Sequence, residues 1–130
     1  MRKALFLLAI LCMPVSAKAR TRVDMGICKC TAYCACAECS EGYGDKTASG
    51  TTADSGRTVA VDPDVIDIGS QVEIGGHIYA AEDRGSGVTG DHIDIYMDDH
   101  AEVEAYGVQY KHVWVVRQKQ GMCLFAERMN

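Results

Sequence analysis

From Arg57 onward the sequence breaks into apolar runs of four to six residues, all but the last closed by glycine or aspartate. Runs this short match strands and fall below the usual length of a helix. Thr58–Val61 is the first, stopped by Pro63, and Gln71–Ile74 is the second. Gly75-Gly76 turns the chain into a third, His77–Glu82; Gly85, Gly87 and Gly90 open the connection to a fourth, His92–Met97. His112–Val116 is the last, and its Trp114 is expected to pack into the core. Asp98 or Asp99 is placed to cap a short helix through Tyr106, with Glu102 as a capping-box partner and Gly107 at its end. Thr31-Ala32-Tyr33 supplies one more strand. Many short strands, one short helix and glycine-rich connections describe a mainly β fold, a small barrel.

The first residues read as an export signal. Arg2-Lys3 precedes an apolar run from Ala4 to Val15, and Ala17-Lys18-Ala19 has the small-x-small form of a cleavage site. Cleavage after Ala19 leaves 111 of the 130 residues, a length suited to one domain with one modest core. The segment 1–19 holds three cations (Arg2, Lys3, Lys18) and no acid, so its loss takes the net charge from −5 to −8. Nucleic acid is excluded as a partner on that charge, because phosphates need Lys and Arg. No further apolar stretch approaches transmembrane length, so a secreted protein, outside the membrane after cleavage, is expected. The reading divides the chain into a signal peptide (1–19), a leader with the start of a cysteine cluster (20–30), the barrel (31–118) and a tail (119–130).

Six cysteines follow the cleavage point: Cys28, Cys30, Cys34, Cys36, Cys39 and Cys123. Export to an oxidising space makes disulfides the expected state, and with five in the cluster, full pairing sends one of them to Cys123. The competing reading is a metal site, since the C-x-C and C-x-x-C spacings can supply four thiolates. Disulfides are preferred, with no metal and no cofactor. His77, His100 and His112 have no partner spacing that suggests a ligand set.

Three aspartates interrupt the strand signals: Asp62 in Val61-Asp62-Pro63, Asp83 in Glu82-Asp83-Arg84-Gly85, and Asp94 in Ile93-Asp94-Ile95. A carboxylate in a strand needs compensating hydrogen bonds or a chemical task, because desolvating it is costly. Alternation puts Ile93, Ile95 and Met97 on one face and His92, Asp94 and Tyr96 on the other. Asp83 falls where its strand meets a glycine-rich loop, a common setting for sites. Residues 40–57, rich in Gly, Ser, Thr and Asp, form a long loop of the kind that usually carries function.

In order along the chain, Thr31-Ala32-Tyr33-Cys34, Thr47-Ala48-Ser49-Gly50, Ala60-Val61-Asp62-Pro63, Ile66-Asp67-Ile68-Gly69, Ala81-Glu82-Asp83-Arg84-Gly85 and Gly90-Asp91-His92-Ile93-Asp94-Ile95-Tyr96 resemble the 3D domain, named for three aspartates. That domain occurs in secreted wall proteins of spore-forming bacteria and in membrane-bound lytic transglycosylase A. The resemblance implies a six-stranded double-psi β-barrel and cleavage of peptidoglycan glycan strands at the MurNAc–GlcNAc β-1,4 bond. Asp62, Asp83 and Asp94 fall on the family aspartates, with Asp94 at the position of the catalytic acid/base. Asp83 is expected to keep Asp94 protonated through its charge, and Asp62 to hold the turn before Pro63. Thr47, Ser49, Thr58, His92 and Tyr96 are the candidate sugar contacts. One departure is Arg84-Gly85-Ser86, where the family commonly has Thr or Ser followed by two glycines. A non-catalytic polysaccharide-binding barrel is the alternative.

Overall fold

The computed structural model describes residues 20–118; the expected signal peptide, the tail and Cys123 lie outside them. Six strands, β1 (Arg20–Tyr33), β2 (Thr58–Ala60), β3 (Gln71–Ile74), β4 (His77–Asp83), β5 (His92–Tyr96) and β6 (Gln109–Gln118), close into a barrel in the order β1-β5-β2-β4-β3-β6. One helix, α1 (His100–Tyr106), lies between β5 and β6. The pairs β1/β5 and β2/β4 are parallel and flank the antiparallel pair β2/β5. This is the mainly β, six-stranded barrel with one short helix that the strand signals predict.

Inward-facing aliphatics fill the barrel: Val59, Val61, Ile66, Val72, Ile74, Ala81, Ile93, Ile95, Val113 and Val115, together with Cys28 and Cys30. Each buried Val or Ile contributes about 1.5–3 kcal/mol relative to exposure. A second, smaller cluster of Tyr33, Ala60, Val88 and Tyr96 packs beneath the site.

Residues 20–30, expected as a leader, instead form most of β1, hydrogen-bonded along β6 from Arg20↔Gln118 to Cys30↔Gln109. The ladder shifts register between Asp24 and Gly26, where Gly26 takes φ 71° and its N–H donates to Asp24 Oδ1 at 2.8 Å. That bulge reverses the inward parity: Val23 and Met25 pack on the core before it, Cys28 and Cys30 after it. The broken alternation hides the strand from a period-two reading. Trp114 also departs from expectation. Val113 and Val115 point inward, which turns Trp114 outward. There it lies between the Arg22 guanidinium, 4.3 Å from the ring centre, and the His112 ring, stacked at 4.7 Å.

The β3–β4 hairpin uses Gly75 and Gly76 at φ 58° and 80°, the left-handed pair a two-residue turn needs. Helix α1 is capped by Asp99, whose side chain accepts from the Ala101 N–H at 3.2 Å, and ends at Gly107 with φ 61°.

Candidate active site

Strand register builds the site. Ala60 of β2 is opposite Asp83 on one side and Asp94 on the other, and Asp94 is in turn opposite Thr31 of β1. Thr31, Asp94, Ala60 and Asp83 thus form one rung across four adjacent strands. The β2/β4 ladder shifts between Val59 and Ala60, and this irregularity brings Asp83 onto the rung. With strands about 4.8 Å apart, the two aspartate backbones stand roughly 10 Å from each other. Ala60 between them has no side chain large enough to fill the gap. Asp83, Ala60 and Asp94 all open onto one cavity of about 650 Å³.

The two carboxylates are held differently. Asp83 accepts three hydrogen bonds: from the Tyr33 hydroxyl at 2.8 Å, the Ala48 N–H at 3.0 Å and the Arg84 N–H at 2.9 Å. Asp94 is contacted by the Thr31 hydroxyl, which donates to Oδ1 at 2.9 Å and lies 2.7 Å from His92 Nε2. His92 Nδ1 lies 3.2 Å from the Gly87 carbonyl. Burial pushes the Asp94 carboxyl above its ordinary range, opposed by the Thr31 hydrogen bond and the charge of His92, with a further upward push from Asp83. Desolvation therefore leads, and repulsion from Asp83, expected to be the main cause, is secondary because a whole strand separates the two. Burial and the bond to Asp83 likewise push the Tyr33 hydroxyl up, so it stays a donor.

The predicted site residues separate. Asp83, Asp94, His92 and Thr47 line the cavity. Thr47 is buried, and its hydroxyl bonds Ser49 Oγ at 3.0 Å and Thr51 Oγ1 at 2.7 Å; Ser49 is exposed and is not among the lining residues. Asp62 is not among the lining residues. Its carboxylate accepts from the Asp64 N–H at 3.0 Å and the Gly90 N–H at 2.8 Å, and these bonds hold it below the usual carboxylate range. It ties the turn through Pro63, one residue further on than expected, to the loop entering β5. Thr58 is fully buried, donating to Glu82 Oε2 at 2.7 Å and accepting from the Asp54 N–H at 3.0 Å, so it cannot touch a sugar. Tyr96 is buried against Tyr33, edge to face at 5.4 Å, and supports the floor rather than a substrate.

Four residues escape the sequence reading: Thr31 and Tyr33, the Ala48 N–H, and Tyr43, which lines the cavity while 73% exposed. Thr31 and Tyr33 share a face of β1 by alternation, but only the β1/β5 register reveals that this face meets Asp94. The cavity wall is completed by Glu41 and Ser86, whose side chains bond at 2.5 Å between two loops, and by Lys46 and Arg84.

The cysteines expected in disulfides are unpaired among the described residues. Cys28 and Cys30 lie in the barrel core, 1% and 0% exposed, where they act as small apolar side chains. Cys34, Cys36 and Cys39 gather instead around His100. The absence of a nearby histidine in sequence misled here, since folding brings α1 onto the cysteine loop.

Residues 57–117 match the family described as the 3D domain. YabE of Bacillus subtilis, a protein named for cell wall shaping, is 37% identical over 82 residues, covering 59% of this chain and 19% of YabE. The E. coli lytic transglycosylase MltA superposes with a TM-score of 0.50 at 24% identity, over 56% of this chain and 27% of MltA. LtgG, a lytic transglycosylase of Burkholderia pseudomallei, does so with a TM-score of 0.50 at 22% identity, over 56% and 26% of the two chains. The chain thus spans about a fifth to a quarter of the length of these relatives, and the two structures share its fold.

Proposed function

We propose that this protein is a secreted lytic transglycosylase that cuts the β-1,4 bond between MurNAc and GlcNAc in peptidoglycan, with Asp94 as the sole acid and base. The observation that carries the reading is the rung itself: a desolvated carboxyl on β5, its pKa raised by burial, faces a cavity that a second, firmly anchored carboxylate shares. Kinship with a cell wall shaping protein and a barrel shared with two lytic transglycosylases support the substrate class.

The reaction needs one proton donor, because no water is added. Protonated Asp94 gives its proton to the bridging oxygen, and GlcNAc leaves with a free 4-hydroxyl. The Asp94 carboxylate then takes the proton of the MurNAc C6 hydroxyl as that oxygen bonds to C1, closing a 1,6-anhydro ring. The attack is intramolecular, and effective molarities of such steps reach roughly 10⁵ M or more. The Asp83 carboxylate, fixed by three donors, faces positive charge developing on the ring and needs no reorganisation to do so.

The hydrogen bonds around Asp94 allow its proton to be held ready. With Asp94 protonated, its O–H donates to Thr31 Oγ1, the Thr31 hydroxyl donates to His92 Nε2, and Nδ1–H donates to the Gly87 carbonyl. Thr31 is thus a positioning residue that orients the Asp94 proton, and His92 acts through it by accepting from the Thr31 hydroxyl.

Incubation of the full chain with isolated sacculi, followed by mass spectrometry, is expected to release anhydro-muropeptides. The Asp94→Asn variant is expected to bind sacculi and release none. Sedimentation with sacculi without products from the wild type would establish a binding module instead.

A further inference from the structure

We propose that Cys34, Cys36, Cys39 and His100 form a structural zinc site, independent of the catalytic reading. Their ligand atoms all lie within 4.8 Å of one another. His100 Nδ1 stands 3.7 Å from Cys34 Sγ, 3.6 Å from Cys36 Sγ and 3.4 Å from Cys39 Sγ. A tetrahedral ion with Zn–S of about 2.3 Å and Zn–N of about 2.05 Å sets S···N at about 3.6 Å. All three observed separations fall within about 0.2 Å of that value. The same geometry puts S···S at about 3.8 Å, and Cys34 and Cys36 sulfurs are 3.3 Å apart, a gap the ion would widen slightly.

Hydrogen bonding alone does not account for this arrangement. One imidazole nitrogen offers a single lone pair or a single proton, and three sulfurs surround it. An ion at their centre serves all four. The surroundings also have the form of an outer coordination shell. His100 Nε2, the nitrogen facing away from the sulfurs, lies 3.4 Å from Glu104 Oε1, the carboxylate partner that metal-bound histidines usually have. The Cys39 N–H points at Cys36 Sγ at 3.4 Å, a donor suited to a thiolate. Three sulfurs and one nitrogen saturate a tetrahedral ion, so the site is closed and structural rather than catalytic. Soft thiolates with one imidazole select zinc over the oxygen-seeking ions. On binding, the thiols release protons to solvent and His100 ligates through a neutral Nδ1.

The site joins the segment after β1 to α1, sixty-one residues on from Cys39. Cys39, Ser40, Glu41, Tyr43, Gly44 and Lys46 line the cavity. The ion would therefore anchor one wall of the cleft, a segment short of buried apolar side chains of its own.

The test is metal analysis of the full chain, purified with and without zinc in the medium. One equivalent of zinc per chain is expected, replaceable by Co²⁺ with the intense thiolate-to-cobalt absorption and visible bands of a tetrahedral thiolate site. His100→Gln and Cys36→Ser alter half-exposed side chains and should leave the barrel folded by circular dichroism. Each should weaken zinc binding by more than the roughly 10- to 100-fold typical of outer-shell changes. Glu104→Ala should fall within that outer-shell range, and His112→Gln should retain full affinity. Chelation should raise hydrogen exchange across residues 35–46. Reduced protein without zinc or tetrahedral cobalt spectra would overturn the proposal, as would an intact mass showing Cys34, Cys36 or Cys39 in disulfides without metal.

Discussion

Replacing Thr31 by valine removes one hydroxyl and little else, which makes it a sharp probe of how Asp94 is held. The variant strips Asp94 Oδ1 of its 2.9 Å donor and leaves His92 Nε2 without its 2.7 Å partner. With Asp94 protonated both are bonds between neutral groups, worth about 0.5–1.5 kcal/mol each, so a loss of about 2 kcal/mol is expected. At about 4–8 °C per kcal/mol for small domains, the melting temperature should drop by roughly 10 °C. Activity should respond separately. The Thr31 bond pulls the Asp94 pKa down, so removing it lets the pKa rise. Because the acid must start protonated, activity falls as pH rises through that pKa. The alkaline limb of kcat/KM on a soluble glycan should therefore move to higher pH in Thr31→Val. The rate on the plateau should fall about tenfold or more, each tenfold being about 1.4 kcal/mol of barrier. Thr31→Ser should restore both. A valine variant with the wild-type plateau and an unmoved alkaline limb would refute the role given to Thr31.

Asp83→Asn removes a negative charge that raises the Asp94 pKa, so its alkaline limb should shift to lower pH, opposite to Thr31→Val, in the same kinetic assay. Asp94→Asn should be more stable than the wild type to urea at neutral pH. The raised folded-state pKa makes stability drain away as pH climbs from the ordinary aspartate value through the folded one, and the advantage of asparagine should vanish below that window. Thr58→Val takes the acceptor from the Asp54 N–H and one donor from Glu82 Oε2, which keeps Arg57, and should cost about 1–2 kcal/mol in urea unfolding. Tyr43→Ala, at an exposed ring on the cavity wall, should raise KM for glycan with little change in kcat.

The barrel was largely legible because period-two runs and glycine turns are local signals. Gln71–Ile74 has the bounds the pattern predicts, and Asp99 and Gly107 close α1 as their chemistry requires. What escaped depends on contacts between distant segments. The Gly26 bulge switches inward parity within β1, so Val23 and Met25 fall out of step with Cys28 and Cys30. Asp83 and Asp94 could be named from the sequence, but Thr31 and Tyr33 could not be given roles without the β1/β5 register. Thr58 and Tyr96 looked like sugar contacts because a hydroxyl's burial is invisible in a sequence. His100 is sixty-one residues beyond Cys39, a separation no local spacing rule bridges.

The most direct test follows the Asp94 side-chain carboxyl by carbon-13 NMR across a pH titration of the folded protein. A midpoint above the ordinary aspartate value of about 3.9, falling in Asp83→Asn, is the expected result. A midpoint at or below that value would leave Asp94 without a proton to give, and the assignment of acid and base would have to be abandoned.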